Sequence, residues 1–299
     1  DLYPFKIYTM SEEKVLTKDK AIEWIDSLEE LNNIEELSSP DLSAYEKVDE
    51  DALLEILNFE IPEELQEGNR EGHYQLSLIE RWIDPDPLGV TLFLDGLSEV
   101  TPPLAEILTR FGMNLSLNGL TNISDESLDE LKKNEGSLFM NGVPAISDNG
   151  AAKLGQTLGN TLKLNGISEL SDLAAESLSR FHGDLHLNGV KVLSSSASLS
   201  LSRHFGSRLY QSTEWEDHLG SEGNPIVTQS KLLSVGTLSL NGVASISDDV
   251  AENLSNYSGN LSLEGLSELS EASARSLAKI DQDNLWVSQN IQKQISAYR

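Results

Sequence analysis

The sequence predicts an α/β solenoid of stacked strand–turn–helix units that follows a helical N-terminal module. A pattern of leucine residues recurs from residue 92 to the C-terminus at spacings of 23 or 24 residues, with one exception of 29. Within each recurrence, apolar residues first alternate with period two and then follow helical spacing. Fixed repetition of this length indicates stacked supersecondary units, each of which buries its apolar face against the next.

The composition restricts the classes of partner and chemistry. The 299 residues carry a formal net charge of -28 and contain no cysteine. The charge disfavours nucleic acids and anionic membrane surfaces as partners, because both require clustered lysine and arginine. The lack of cysteine excludes disulfides, thiol nucleophiles and cysteine-ligated zinc. No apolar run approaches the roughly 20 residues that span a bilayer, and no signal-like segment is visible. The compartment therefore stays open, with the cytoplasm favoured.

Residues 1–90 form the predicted N-terminal module, which is the more acidic part of the chain. Apolar residues at helical spacing predict helices over Thr17–Leu31, Asp51–Phe59 and Glu71–Ile83. Asp84-Pro85 ends the third helix, since a residue before proline avoids the helical region. We expect this module to cover the first edge of the solenoid. An independent domain is the alternative.

Leu115–Gly136 illustrates the repeat unit. Its leucines at 115 and 117 alternate with an outward residue and predict a short strand. An Asn-Gly pair then turns the chain, a serine caps a short helix, and a glycine ends that helix. The first leucines of the predicted units are Leu92, Leu115, Leu138, Leu162, Leu185, Leu209, Leu238 and Leu261. These eight units span residues 91–284, and a C-terminal strand and cap follow at 285–299.

Two polar columns of the repeat have a structural interpretation. The asparagines after the strands could form an array of ligands for cations or polar polymers, but stacked asparagine side chains also bond neighbouring backbones, and we favour the structural role. The Ser-Asp pairs lack the ligand density of a calcium loop. Helix capping accounts for them, so we expect no metal site and no cofactor.

The repeat pattern L-x-L-x-G-(aliphatic)-x-x-(aliphatic)-S-D-x-x-x-A-x-x-L resembles a leucine-rich repeat. It is most similar to the cysteine-containing subclass of F-box-type proteins and their bacterial relatives, with glycine and an aliphatic residue where that subclass has cysteine. The resemblance covers residues 92–290. It implies a right-handed solenoid with a parallel sheet on the concave face and helices on the convex face. It also implies a non-catalytic scaffold that binds a protein or peptide, and we expect a monomer.

The candidate binding site is a concave patch of aromatic and basic residues. Residues between the strand leucines should point outward, and exposed aromatic residues on such a face are typical binding anchors. The unit at 209–237 is irregular and contains an insertion, which either has drifted neutrally or carries function on a loop. The candidate residues are Phe139, Lys163, His186, Arg208, Tyr210 and Trp215.

Other functions remain open at this point. The chain could be a carbohydrate-contacting or spacer module of a larger surface protein or enzyme. It could also be an enzyme built on the loop at 215–225 with His218, and the histidines at 182, 186, 204 and 218 could form a metal or acid–base site. The sequence contains no nucleophile elbow, phosphate-binding loop, dinucleotide fingerprint or zinc-protease motif. We therefore favour a protein that is not an enzyme.

Overall fold

The computed structural model describes residues 14–28, 41–58, 90–204, 207–211 and 230–299. Short strands alternate with short helices in these residues, and eight of the strands form one parallel sheet. The strands are β1 Val15–Leu16, β2 Lys47–Val48, β3 Thr91–Phe93, β4 Asn114–Ser116, β5 Leu138–Phe139, β6 Thr161–Lys163, β7 Asp184–His186, β8 Ser207–Gln211, β9 Ser230–Val235, β10 Thr237–Ser239, β11 Asn260–Ser262 and β12 Leu285–Trp286. The helices are α1 Lys18–Leu28, α2 Glu50–Asn58, α3 Pro102–Thr109, α4 Asp125–Leu131, α5 Asp148–Leu154, α6 Asp172–Leu178, α7 Ser195–Leu201, α8 Asp248–Leu254, α9 Glu271–Leu277 and α10 Gln289–Ser296.

The unit containing β5 and α5 shows why the repeat folds locally. Leu138 is fully buried and lies on the inner face of the sheet, and the chain then turns through a hydrogen bond from the Val143 amide to the Met140 carbonyl, 3.3 Å long. Ser147 is the N-cap of α5, and its hydroxyl accepts a hydrogen bond of 2.8 Å from the Gly150 amide. This bond satisfies one of the free amides that begin every helix.

The parallel sheet has the order β12-β11-β10-β7-β6-β5-β4-β3. Equivalent leucines face each other on neighbouring strands, for example Leu115 with Leu138 and Leu138 with Leu162. Consecutive helices pack side by side, and the leucines of both layers belong to one continuous core. The predicted alternation of strand and helix is therefore confirmed. None of the described helices is long and apolar enough to cross a membrane.

The prediction of a repeat unit starting at Leu209 is wrong. Strand β8, which contains Leu209, pairs antiparallel with β9 in a separate two-stranded sheet. Strand β10 instead pairs directly with β7, with Leu238 opposite Leu185. The irregular stretch is therefore an insertion between two neighbouring units. Antiparallel pairing is available to it because β8 and β9 belong to the same insertion and need no crossover helix.

The described part of the N-terminal module continues the repeat geometry. Asp41 bridges Phe93 in parallel, and the Tyr45 amide bonds the Leu42 carbonyl at 3.0 Å, as the equivalent turn residues of the later units do. Helix α2 follows as the helix of this unit, and α1 packs beside it. Residues on both sides of position 90 share one core. The predicted third helix, Glu71–Ile83, lies outside the described residues.

The C-terminal segment closes the other end of the sheet. Strand β12 pairs with β11, with Leu285 opposite Leu261. Helix α10 then buries Ile291 and Ile295 completely, while its remaining residues are more exposed. A helix that is apolar on one side only is typical of the capping position of a repeat stack, because its polar side can face water.

Two expectations about glycine are wrong. Gly136 does not cap α4, whose C-cap is Lys132. A Cβ at Gly136 would lie 2.1 Å from the Met113 carbonyl oxygen of the preceding unit. The glycine of the Asn-Gly pair likewise needs no positive φ: a Cβ at Gly119 would lie 1.9 Å from the Asp95 carbonyl oxygen. Both positions require glycine because stacked backbones approach each other closely there.

Candidate functional site

One row of side chains lies on the sheet face opposite the buried leucines, which we call the open face. Each residue of the row stands between the two leucine positions of its strand, and the strand register places neighbours of the row side by side. Alternation along a strand directs these side chains away from the core. In sheet order the row consists of Phe93, Ser116, Phe139, Lys163, His186, Ser239, Ser262 and Trp286.

Three of the six predicted site residues lie together at the centre of this row. Phe139 faces Lys163, and Lys163 faces His186, on the consecutive strands β5, β6 and β7. The Lys163 ammonium lies 4.7 Å from the centroid of the Phe139 ring, within range of a cation–π interaction. All three side chains are partly exposed. We call these three residues the central patch.

The electrostatics of the central patch keep His186 neutral near physiological pH. Burial lowers the pKa of the His186 imidazole, the charge of Lys163 lowers it further, and Asp184 acts in the opposite direction. The Asp184 carboxylate has a structural role, since it accepts a hydrogen bond of 2.7 Å from the Thr237 amide. At neutral pH the patch therefore offers one positive charge, an imidazole and an aromatic edge.

Serines form recessed parts of the row on both sides of the central patch. Ser116 is only 2% exposed, and its hydroxyl donates to Asp95 at 2.7 Å. Ser239 and Ser262 are also buried and donate to the amide oxygens of Asn188 and Asn241. Ser116, the outward residue between Leu115 and Leu117, is therefore part of the scaffold.

Two of the remaining predicted residues, Arg208 and Tyr210, are not part of this row. Arg208 and Tyr210 lie on β8, in the antiparallel insertion, so the neighbour of His186 across the sheet is Ser239. The expectation that they extend the patch on the parallel sheet is wrong, because their strand does not join that sheet. Trp215 lies outside the described residues.

Trp286 is the row residue that sequence reasoning undervalues. The sequence suggests that it contacts the C-terminal tail, yet its side chain is 46% exposed at the end of the row. Its position between the strand leucine and the cap helix follows the same column as Phe139 and His186. The column position was therefore the available signal.

The asparagine column is structural, as predicted. The amide oxygen of each asparagine accepts a hydrogen bond from the backbone amide of the equivalent residue in the next unit. The Asn141 amide donates to Asn118 at 3.1 Å, and the Asn188 amide donates to Asn165 at 3.0 Å. The column continues across the insertion, where the Asn241 amide donates to Asn188 at 2.9 Å. We call this column the asparagine ladder.

The Ser-Asp pairs also connect neighbouring units. The N-cap Ser147 donates to the Asp125 carboxylate of the preceding unit at 2.6 Å, while its oxygen caps its own helix. Ser147 and Asn149 together lower the pKa of the Asp125 carboxyl by hydrogen bonding. Ser270 contacts Asp248 in the same way. The N-cap serines therefore have two roles: they cap their own helices, and their bonds to the aspartates of the preceding units form a second ladder between units.

His204 lies inside the protein and is not a surface ligand. Its imidazole is stacked between Phe181 and Tyr257, at centroid distances of 6.3 Å and 6.2 Å. Its nitrogens lie 3.3 Å from the Ser179 carbonyl oxygen and 2.9 Å from that of Gly183. No group of three metal-ligating side chains occurs in the described part of the chain. His218 lies outside that part.

An open cleft of about 480 Å³ lies between the second and third helices of the stack, near Lys18 and Leu104. Its wall carries Glu46, Asp49 and Glu99 among other acidic side chains. Lys18 already pairs with Glu55. The mixture of charges and the open shape indicate a solvated surface between units.

No protein-family model matches the chain, and no curated protein matches it in sequence. The class of protein must therefore be argued from the repeat pattern, the alternation of strands and helices, and the residues of the open face.

Proposed function

We propose that the chain is a right-handed leucine-rich-repeat solenoid whose open face is the concave face. We further propose that this face binds a protein or peptide. The recurring leucine, asparagine and serine positions support the repeat class. The proposed binding role rests on the residues that the repeat structure does not require. The leucines, asparagines and cap serines have structural contacts, whereas the side chains of the central patch are partly exposed to solvent.

The single observation that carries the proposal is the contiguous central patch. Phe139, Lys163 and His186 occupy adjacent strands on a sheet face that the described helices do not cover. A rigid sheet presents such side chains at low entropic cost, and aromatic residues commonly contribute most to binding at interfaces. Among the described residues no nucleophile with an adjacent base accompanies them, and we propose a scaffold and not an enzyme.

The carbohydrate alternative has less support at the central patch. A sugar ring packs on the free face of an aromatic side chain, but the ammonium of Lys163 already lies over the Phe139 ring. Trp286 at the end of the row remains the position where a sugar could pack. The test below includes both ligand classes.

Selection from a random peptide display library on the 299-residue chain tests the proposal. We expect selected peptides to lose affinity for Phe139→Ala and His186→Ala variants and to keep it for Leu173→Ala. Leu173 is the matched control, since it is 60% exposed and lies on α6. Selected peptides that bind all three variants equally would show that the open face is not the binding surface. A glycan array run in parallel would support the alternative if sugars bind and peptides do not.

A further inference from the structure

The row on the open face is free of carboxylates, in contrast to the rest of the chain. The protein has 49 acidic and 21 basic residues, yet the eight row positions hold aromatic residues, serines, one lysine and one histidine. The row is therefore a neutral to positive strip on an acidic protein. Within this strip the positive charge of Lys163 favours an anionic group of a ligand over a cationic one, because opposite charges attract at close range.

Lys163 differs from the lysines of the helical side. Lys132 and Lys153 share the Asp129 carboxylate, and Lys279 pairs with Glu252. Among the described residues, Lys163 forms no ion pair, and its contact is the ring of Phe139. Its ammonium is held over this ring and beside His186, so its three donors can serve a bound carboxylate.

The row also contains a shallow depression next to the central patch. Between His186 and Trp286 lie Ser239 and Ser262, which are 4% and 3% exposed. Four steps between neighbouring strands separate Lys163 from Trp286, which corresponds to about 19 Å. This is the length of about six residues of extended peptide. The serine hydroxyls of the floor are already used as donors to Asn188 and Asn241.

We propose that the open face takes an extended acidic peptide segment whose carboxylate binds the Lys163 ammonium beside His186, and whose apolar side chain, about six residues away, packs against Trp286. This inference rests on the proposed function and specifies its ligand. The exposed indole supplies apolar area at one end of the shallow depression, and the recessed serines leave room for the peptide backbone.

One lysine suits a single carboxylate better than a polyanion. Nucleic acids require several cations, and the net charge of -28 repels them. An acidic polysaccharide carries the same carboxylate chemistry, and the experiment separates it from a peptide by including uronate oligosaccharides as probes.

The peptides selected on the 299-residue chain provide the test. We expect enrichment of Asp or Glu together with an aromatic or large aliphatic residue about six positions away. Lys163→Gln should lower the affinity of these peptides by about tenfold to a hundredfold, which is the usual contribution of a hydrogen bond to a charged group. Lys163→Arg should retain most of the affinity, and Trp286→Ala should reduce it. Lys191→Gln removes the same charge from an exposed loop and should have no effect.

Each outcome decides between the two proposals. Peptides that depend on Phe139 but show no acidic enrichment, or bind Lys163→Gln unchanged, would overturn this inference and leave the proposed function intact. Peptides that ignore every open-face substitution would overturn both. If uronate oligosaccharides bind in a way that depends on Lys163 and no peptide binds, the ligand is an acidic polysaccharide and the peptide proposal is wrong. Thermal unfolding of every variant, followed by circular dichroism, identifies any change that is due to misfolding.

Discussion

Replacing Gly142 by alanine tests whether close backbone contact sets the spacing between units. A Cβ at Gly142 would lie 2.1 Å from the Asn118 carbonyl oxygen and 2.6 Å from that of Leu120. Because unstrained carbon–oxygen contacts begin at about 3.3 Å, the two units would have to separate by about 1 Å. Such a shift would also break the ladder bond from the Asn141 amide to Asn118, which is 3.1 Å long.

The expected loss of stability is about 1–4 kcal/mol. Overpacking of this kind costs roughly 1–3 kcal/mol, and the broken hydrogen bond adds about 1 kcal/mol. The reduced entropy of the unfolded chain returns only about 0.4–1 kcal/mol. Urea unfolding followed by far-ultraviolet circular dichroism measures the difference, with an unchanged m-value as evidence that the same structure unfolds.

Gly150→Ala is the matched control in the same unit. A Cβ there would meet the ends of movable side chains, Leu128 Cδ1 at 2.8 Å and Asp125 Oδ1 at 3.0 Å. The equivalent positions of the neighbouring helices hold Ser127 and Ala174, so the stack accepts a side chain at this point. Alanine should raise stability by about 0.5–1 kcal/mol through its higher helix propensity. Equal effects of the two substitutions, or a Gly142→Ala variant as stable as the parent, would refute the close-approach argument.

Three further predictions concern stability and the insertion. Thr157→Val should raise the free energy of unfolding by about 1 kcal/mol in urea titrations, because the buried Thr157 hydroxyl has no hydrogen-bond partner within the described part of the chain. A destabilised variant would show that this hydroxyl does have one. Burial lowers the pKa of His204 in the folded state, so the unfolded chain binds more protons and stability should fall as the pH drops below about 6.5. His204→Phe should make the free energy of unfolding less dependent on pH between about pH 5.5 and 7.5. An unchanged dependence on pH would show that other groups cause it. Deleting residues 206–235 should leave a folded protein with a similar melting temperature, because it restores the regular spacing between Leu185 and Leu238, which already pair; loss of the cooperative transition would contradict the view of an insertion.

The positions that alternate strictly could be predicted from the sequence. The leucines at 115, 138 and 162 are buried on neighbouring strands as their spacing requires. The cap serines also follow directly, since a serine before a short apolar-periodic stretch has few other roles. These features depend on contacts within a unit or between equivalent residues of adjacent units.

The errors arise where a local pattern fits two long-range arrangements. Leu209 carries a strand-like pattern, but pattern alone does not specify whether a strand pairs in parallel with the preceding unit or antiparallel within its own insertion. Gly136 resembles a helix C-cap in sequence, yet its requirement comes from the Met113 carbonyl of the unit below. The N-terminal units at residues 14–58 escape detection because Ser43 and Tyr45 replace the usual asparagine and aliphatic residue.

The candidate site was only half predictable for the same reason. Phe139, Lys163 and His186 were placed correctly beside one another because their strands follow in sequence. The next neighbour of His186, Ser239, is 53 residues away along the chain, and the antiparallel strands β8 and β9 intervene. Side-chain exposure, which distinguishes Trp286 from the buried serines of the same row, depends on neighbours that only the folded structure specifies.

The asparagine ladder has a consequence for how the chain changes its length. The three long departures from the regular spacing follow α1, α2 and α7, and each falls between the end of a helix and the next strand position of the stack. The strand-to-helix side, where the ladder lies, keeps its spacing throughout the units from residue 90 onward, even where the Asn241 amide reaches back across the insertion to Asn188. The strand-to-helix side of the units thus keeps a constant length, whereas the helix-to-strand side accepts insertions. Foreign segments or new loops could therefore be added between a helix and the next strand, and the register of the sheet would be preserved.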